Sequence, residues 1–201
     1  MKNNLPLSDL IKFSELLNQF RLVNRKVLVN GENRYENDVE HSYQLTMLAW
    51  YIVSSSPINL DLTKVLRYAL AHDLVEVYAG DTFAFTDNKE LRDSKEQREH
   101  EAAERIKKEF PEFQELHQMI EGYEKRKDKE SKFVYALDKL QPTIQIYADN
   151  GRSWQEASLS LERIFEKGEK MAISPEVKEW FDELCELLSR KEQELFPKKK
   201  I

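Results

Sequence analysis

The sequence predicts an all-α fold in a single domain. Only 5 glycines and 6 prolines occur among its 201 residues, so few positions interrupt regular structure. Apolar residues recur at intervals of three and four through most of the chain, which is typical of amphipathic helices. The apolar fraction of 40% and the charged fraction of 34% indicate a globular chain with a heavily charged surface and enough length to bury a core.

The first half of the chain contains four predicted helices. The first two cover 8–23, with Ser8 as N-cap, and 38–56. The third begins at Asp61 as its N-cap, and the fourth covers 94–110. Residues 24–37 are predicted as a loop that turns at Asn30-Gly31. Pro57 ends the second helix, because the residue before a proline disfavours helical dihedral angles. Gly80 ends the third helix or its extension, and residues 82–93 are predicted as loop.

The second half of the chain is predicted to continue as helices. They are a short stretch ending near Tyr123, a helix over 131–147 that Pro142 kinks, and two helices over 154–170 and 175–195. Ser174 is the predicted N-cap of the last helix, with Pro175 at its first position. The tail over 197–201 is predicted to fray.

Charge and composition exclude several classes of function. The formal net charge is −6, which disfavours binding to a nucleic-acid polymer, since such binding needs a basic face. No segment approaches the roughly 18 apolar residues of a membrane helix, and the first ten residues have no apolar signal region. The single cysteine, Cys185, cannot form an intrachain disulfide and is expected in the core. We therefore expect a cytoplasmic protein with no membrane partner.

Ionisable side chains interrupt the apolar faces of three predicted helices. His41, the pair His72-Asp73 and Asp138 each fall on the side that should face the core. Each alone is typical of a helix cap or of a partner for lysine or arginine. Together they offer two imidazoles and two carboxylates, and buried charges are costly unless they are paired or ligated. This set suits a divalent metal such as manganese, iron, cobalt or zinc.

The strings that carry these residues resemble a known superfamily. Glu-His-Ser at 40–42, His-Asp at 72–73 and Leu-Asp-Lys at 137–139 resemble the HD-domain metal-dependent phosphohydrolases. The longer string HDLVEVYAGD, with Glu76 and Gly80-Asp81, resembles the 5′-deoxynucleotidase branch. The resemblance spans about residues 20–145 and implies an HD-domain helical bundle in which that core holds the metal site and helices over 152–195 pack on it.

The resemblance also implies a function. His41, His72, Asp73 and Asp138 would bind one divalent ion, which could be cobalt, manganese, iron, zinc or magnesium. The enzyme would be a phosphomonoesterase that removes phosphate from deoxyribonucleoside 5′-monophosphates, and it would be a homodimer.

The same resemblance implies roles for further side chains. Glu76 would act on the attacking water or the leaving group, and Asp81 would contact the sugar and help to separate deoxyribose from ribose. Arg25 matches the arginine that binds phosphate. The next residue is Lys26, where relatives often carry tryptophan or another bulky group, so the sugar preference of the substrate site is left open.

Two other functions stay open on the sequence. His100 and His117 could supply a second metal, as in dinuclear HD phosphodiesterases or oxygenases. The Gly-Tyr-Pro loop of the cyclic-dinucleotide enzymes is absent, because Gly122-Tyr123 is followed by Glu124. The second alternative is a non-catalytic helical binding protein that a metal stabilises. The native metal and the preferred base are not fixed by the sequence.

Overall fold

Helices make up most of the computed structural model, which describes residues 5–197, and the all-α prediction is confirmed. In chain order the elements are α1 Leu7–Phe20, β1 Asn24–Leu28, β2 Tyr35–Asn37, α2 Asp38–Ser55, α3 Leu62–Ala71, α4 Glu76–Ala79, α5 Lys89–Asp93, α6 Lys95–Glu109, α7 Gln114–Glu124, α8 Lys129–Ala148, α9 Arg152–Glu156, α10 Leu161–Phe165, α11 Gly168–Met171, α12 Pro175–Arg190 and α13 Glu192–Leu195. Within residues 5–197, no helix has the length and apolar character needed to cross a membrane. Most of the tail predicted to fray, 198–201, lies outside the described residues.

Helix α8 lies at the centre of the larger hydrophobic cluster. It begins at a capping box, in which the Asp128 side chain accepts a hydrogen bond of 2.9 Å from the backbone N–H of Ser131. Phe133 and Leu137 on this helix are at most 1% exposed. Helices α2, α3, α7, α11 and α12 pack against α8. Truncating a fully buried leucine such as Leu137 to alanine costs about 2–5 kcal/mol.

A second hydrophobic cluster lies under the segment that follows α3. Its members include Leu16 and Phe20 of α1, Leu74 after α3, and Ile106 and Phe110 at α6. The larger cluster, in contrast, runs from the hairpin through α8 to α12 and α13. Since the C-terminal helices share a core with α2, α3 and α8, we propose that the chain forms one domain.

Residues 24–37 form a β-hairpin, so the prediction of a loop there is wrong. The strands β1 and β2 are antiparallel, with Asn24 opposite Asn37, and the Val29 N–H donates to Arg34 O at 3.0 Å. Gly31 has a φ of +78°, which favours glycine at the turn. The missed signal is an apolar run directly before Asn-Gly, a common hairpin sequence. This hairpin carries Arg25 and Lys26.

Other element boundaries also differ from the predictions. The segment predicted as one helix over 154–170 is broken into α9, α10 and α11, because Ser158 takes a left-handed conformation with φ +52° and ends the first of them. Part of the loop predicted over 82–93 forms α5, which the Asn88 side chain caps by accepting from Leu91 N–H at 3.0 Å.

One of the two serines predicted as caps is at the N-cap position. Ser8 is not, because it lies inside α1, whose N-cap is Pro6. Ser174 is the N-cap of α12 with Pro175 at the start of the helix, as predicted, although its hydroxyl donates to Glu176 Oε2 at 3.0 Å and makes no capping bond to the backbone. Asp61, by contrast, caps α3 as predicted, since it accepts from Lys64 N–H at 3.2 Å. Cys185 is half-buried against the larger cluster, near its predicted place.

Candidate metal centre and active site

The start of α2 fixes the position of His41. Asn37 and Glu40 form a reciprocal capping box, with two hydrogen bonds of 3.0 Å between each side chain and the other residue's backbone N–H. The Glu40 carboxylate also pairs with Arg34 at 2.7 Å. With the first turn held in this way, His41 faces the core and is 0% exposed.

The turn after α3 brings two adjacent residues to one site. The helix ends at Ala71 and His72 is its C-cap, which still has helical dihedral angles. Beyond it the chain tightens, since Leu74 N–H donates to Ala71 O at 3.2 Å and Glu76 N–H donates to Asp73 O at 2.8 Å. The His72 and Asp73 side chains come together in this turn, with His72 Nε2 2.9 Å from Asp73 Oδ2. The His-Asp pair can therefore act on one point.

Asp138 on α8 completes a cluster of four donor atoms. Its Oδ1 lies 2.9 Å from His41 Nε2 and 3.6 Å from His72 Nε2. His41 Nε2 lies 3.8 Å from Asp73 Oδ2, and all four donor atoms lie within 4.8 Å of one another. Two nitrogens and two oxygens at these separations match the donor set and spacing of a first-row divalent metal.

Hydrogen bonds on the far side of both imidazoles turn Nε2 towards the cluster. His41 Nδ1 lies 3.0 Å from Gln141 Oε1, and His72 Nδ1 lies 2.9 Å from Ala69 O. These oxygens can only accept, so Nδ1 carries a hydrogen in both rings and Nε2 is the nitrogen left to ligate a metal. His72 Nε2 is buried and makes no hydrogen bond within residues 5–197. The residues present therefore fit a bound metal ion.

The charges within the cluster also favour a cation. Burial lowers the pKa of His41 to about 4, with Arg25 adding to the effect, so this imidazole is neutral at pH 7. Burial acts in the same direction on His72, but Asp73 and Asp138 outweigh it and raise its pKa to about 10. The two carboxylates thus hold a proton on His72, in a place where a metal ion would supply the positive charge.

Arg25 links the hairpin to this cluster. Its Nη1 lies 2.9 Å from Asp73 Oδ2 and 3.4 Å from Asp38 Oδ1, and its Nε lies 3.2 Å from Glu36 Oε1. Among residues 5–197, the hydrogen bonds of the Arg25 side chain are made by Nη1, and Nη2 makes none. Since Arg25 also lines the cavity beside the cluster, this nitrogen is available to an anion there.

Glu76 is buried beside the cluster. The residue is 2% exposed, its Oε2 has no hydrogen-bond partner among the described residues, and Lys95 Nζ lies 3.8 Å from its Oε1. Burial raises the pKa of Glu76 well above its usual value, and the charges of Asp73 and Asp38 add to the rise. A carboxyl in this environment retains its proton to a higher pH than an exposed one.

Asp81 follows Gly80, whose φ of +73° turns the chain after α4 back to the site. Asp81 lines the same cavity as Arg25 and Glu76. Burial raises the pKa of Asp81, while the charge of Arg25 opposes the rise.

This cavity, called the site cavity below, has a charged side and an apolar side. Asp73, Asp138, Glu76, Asp81 and Arg25 lie along it, and apolar side chains complete it, namely Val27, Phe83, Phe85, Ile146 and Trp154. Lys26 also lines it, with Nζ 4.9 Å from the centroid of the Tyr35 ring. All eight sequence-predicted site residues are therefore at this place. Six of them line the site cavity, and the other two, His41 and His72, lie against Asp73 and Asp138.

Several neighbours of the cluster were not predicted. Asp38 precedes His41 by three residues and Gln141 follows Asp138 by three, so helical spacing could have found both. Tyr123 donates to Asp138 Oδ2 at 3.2 Å, and Lys139 Nζ lies 2.5 Å from the same oxygen. The role of Tyr123 depends on how α7 packs on α8, which no short motif contains.

The two further histidines lie elsewhere. His100 is exposed, and His117 Nε2 lies 2.8 Å from Phe110 O. Both line a separate cavity that none of the four predicted ligands touches. The groups of side chains among residues 5–197 that could hold a metal ion include neither histidine.

A sequence profile of the HD domain family matches residues 17–179. The chain belongs to the HD domain family. No curated protein matches it.

Among solved structures, this HD domain protein is similar to a predicted metal-dependent phosphohydrolase from Magnetospirillum magnetotacticum MS-1, with 27% identity and a TM-score of 0.80, over 95% of this chain and 98% of that one. A conserved hypothetical protein from Pyrococcus furiosus has 21% identity and a TM-score of 0.63, over 90% and 99% of the two chains. A protein from Pyrococcus horikoshii OT3 has 22% identity and a TM-score of 0.61, over 90% and 98%. The two archaeal likenesses show the fold.

Proposed function

We propose that this HD domain protein is a metal-dependent phosphomonoesterase that hydrolyses deoxyribonucleoside 5′-monophosphates. Family membership and the likeness to the Magnetospirillum protein support the coarser statement, a metal-dependent phosphohydrolase. The observation that carries the proposal is the cluster of His41, His72, Asp73 and Asp138 beside a cavity that also contains Arg25 and Glu76. A cytoplasmic location stays a prediction of the sequence.

The four clustered residues would hold one divalent ion. Such an ion supplies positive charge to the phosphate oxygens and activates a water molecule for attack on phosphorus. The His41–Gln141 and His72–Ala69 hydrogen bonds would keep both imidazoles in the ligating orientation. The native metal and the preferred base stay open.

Arg25 would bind the phosphate through Nη2, while its contacts with Glu36, Asp38 and Asp73 hold the guanidinium in place. Its other two nitrogens are engaged by these carboxylates, so the group does not have to be reoriented when substrate arrives. Removing the guanidinium should therefore raise KM and lower kcat together.

Glu76 would move the proton that the reaction requires. Hydrolysis forms a bond from the water oxygen to phosphorus and breaks the bond from phosphorus to the ester oxygen, which leaves with a proton. Burial raises the pKa of the Glu76 carboxyl, which makes it suited to carry such a proton and deliver it to the leaving oxygen.

Asp81 and Lys26 would lie at the sugar. Asp81 shares the cavity with Glu76 and Arg25, and we propose that its carboxylate contacts the sugar hydroxyls and helps to separate deoxyribose from ribose. Lys26 would set how strict that separation is. The apolar wall of Phe83, Phe85 and Trp154 offers few polar groups that could distinguish one base from another.

The test is phosphate release by purified, metal-stripped protein. We would supply dAMP and AMP, dGMP and GMP, and a cyclic dinucleotide, each with manganese, cobalt, magnesium or no added metal. Metal-dependent release from the deoxy forms alone is the expected result. Release from both sugars would remove the role of Asp81 in discrimination and keep the chemistry. Release from the cyclic dinucleotide alone, or none from any substrate, would contradict the proposal.

We also propose that the protein is a homodimer. The support is an exposed apolar stripe on α2, where Tyr43, Met47, Trp50 and Tyr51 are each 42–68% exposed. Light scattering at micromolar concentration should give twice the chain mass of 23.9 kDa. Replacing Trp50 by glutamate should then give a monomer, whereas a wild-type monomer would rule out the proposal.

A further inference from the structure

Three lysines lie where the site cavity meets a second cavity. Lys95, Lys139 and Lys167 line both of them. The second cavity adds Arg126 and Lys170, neither of which forms an ion pair with a residue in 5–197. Because the chain has a net charge of −6, this concentration of positive charge is local and opposite in sign to the whole.

Two of the three lysines are paired with carboxylates. Lys139 Nζ lies 2.5 Å from Asp138 Oδ2, and Lys95 Nζ lies 3.1 Å from Glu99 Oε1. Lys167 has no hydrogen bond or ion pair with its side chain among the described residues. Its Nζ lies 3.6 Å from the centroid of the Phe85 ring. Within the described part of the chain, no carboxylate therefore pairs with its ammonium group, although the site cavity that it lines also contains Asp73, Asp81 and Asp138.

The backbone at Lys167 is held by core packing. The Lys167 N–H donates to Ile164 O at 3.2 Å at the end of α10. The next residue, Gly168, packs so closely on α12 that an added Cβ would lie 2.6 Å from Cε1 of Phe181. Lys167 is thus a positioned side chain at the mouth of the site, contributed by a segment outside the predicted metal core of about 20–145.

The environment of Lys167 is prepared for a negative charge. Burial, together with the positive charges of Lys139 and Lys170, lowers the pKa of this ammonium to about 7. An anion bound beside the Lys167 ammonium would raise its pKa again and stabilise the charged form. The scissile phosphate already has Arg25 and the candidate metal ligands at its end of the site cavity, so Lys167 would be available to a different anionic group.

We propose that Lys167, with Lys170 and Arg126 beyond it, forms a second anion subsite that binds another phosphate group of the substrate. The proposal rests on the proposed function and narrows its substrate class. The preferred substrate is a deoxynucleotide with a second phosphate, carried on the 3′ oxygen or within a 5′-diphosphate chain. A 5′-monophosphate is then the smallest substrate, which fills only the metal end of the site.

The test is calorimetric binding of ligands that cannot be hydrolysed to the metal-loaded protein. The ligands are the 5′-phosphonate analogue of dAMP, in which a methylene replaces the 5′ oxygen, the same compound with a phosphonomethyl group on its 3′ oxygen, and the same compound with a phosphonomethyl group on its 5′ phosphorus. We expect one of the two ligands with a second phosphorus group to bind at least tenfold more tightly than the simple phosphonate. Which of them does so identifies the source of the second phosphate.

Two matched variants locate the effect. Lys167→Met removes the charge and keeps an unbranched apolar side chain against Phe85, so it should reduce the affinity ratio to below about threefold. Lys191→Met is the control, because Lys191 Nζ also lies over an aromatic ring, 5.4 Å from the centroid of Tyr147, but lines neither cavity. It should keep the ratio.

Equal binding of all three ligands by the wild type would overturn the subsite, as would a Lys167→Met protein that keeps the tenfold ratio. These outcomes are separate from the proposed activity. Hydrolysis of dAMP with equal ligand affinities would leave the phosphomonoesterase standing without the subsite. A tenfold ratio that depends on Lys167, in a protein that hydrolyses no nucleotide, would leave the subsite standing without the activity.

Discussion

Gln141 holds His41 in its ligating orientation, so replacing it should weaken metal binding without touching a ligand. Its Oε1 lies 3.0 Å from His41 Nδ1, and its Nε2 donates to Gln145 Oε1 at 2.8 Å and to Gln44 Oε1 at 3.2 Å, which fixes the orientation of the amide. The change is Gln141→Met, which preserves length and removes the acceptor.

The expected size follows from these contacts. His41 is 0% exposed and Glu36 Oε1 lies 3.9 Å from its Nδ1, beyond hydrogen-bond distance, so the Nδ1–H would be left without a hydrogen bond. An unsatisfied buried donor costs about 1–3 kcal/mol of stability. Loss of the partner that orients a ligating histidine typically weakens metal affinity by about 10–100-fold. At about 1.4 kcal/mol per tenfold, this is about 1.4–2.8 kcal/mol of binding free energy.

The assay is competition of manganese or cobalt binding against a chelator, with thermal unfolding of the metal-free protein measured in parallel. Glu130→Met is the control, because it removes another buried acceptor on α8, to which Asp61 N–H donates at 3.1 Å, and leaves Gln141 and its contacts in place. It should lower stability and change metal affinity less than Gln141→Met does. Equal metal affinities in Gln141→Met and wild type would refute the assignment of Gln141, and with it the orientation argument for His41.

Three other changes test separate parts of the account. Glu76→Gln should keep metal affinity and lower kcat about 10²–10⁴-fold, because an amide cannot exchange the proton; kinetics near wild type would remove Glu76 from the mechanism. Adding a chelator should lower the melting temperature of the holoprotein, since an ion that binds only the folded state stabilises it; an unchanged melting temperature would contradict a tightly bound metal. Gly151→Ala should cost about 1–3 kcal/mol of stability, because the φ of Gly151 is +75° and the new Cβ would clash with the Leu195 carbonyl. Gly31→Ala is the control, because Gly31 has a similar φ but open space around it, and it should cost less.

The candidate metal ligands were accessible from sequence because their signals are short and local. His41, His72-Asp73 and Asp138 each interrupt an apolar helical face, and a chemical type that is costly to bury stands out against such a face. Asp38 lies three residues before His41 and Gln141 three residues after Asp138, so the same helical periodicity places both at the site, although neither was predicted. That α2, the end of α3 and α8 come together could be expected from the family motif, and the core around α8 is what holds them there.

The remaining features depend on contacts that are distant in sequence. Lys167 lies 29 positions after Asp138, in a charged segment that looks like any solvated helix face. It lines the cavity in a segment where the predicted single helix is broken twice, at Ser158 and again between α10 and α11. The hairpin at 24–37 was missed for a different reason, since two short strands have a weaker pattern than the helices around them.

The central claim is that His41, His72, Asp73 and Asp138 bind one divalent ion, and elemental analysis tests it most directly. We would count metal atoms per chain in the purified wild type, in His72→Ala and in Asp73→Ala, with His117→Ala as a half-buried histidine outside the cluster. The account predicts about one atom per chain in the wild type and in His117→Ala, and almost none in the other two variants. Full occupancy in His72→Ala and Asp73→Ala, or two atoms per chain in the wild type, would contradict it.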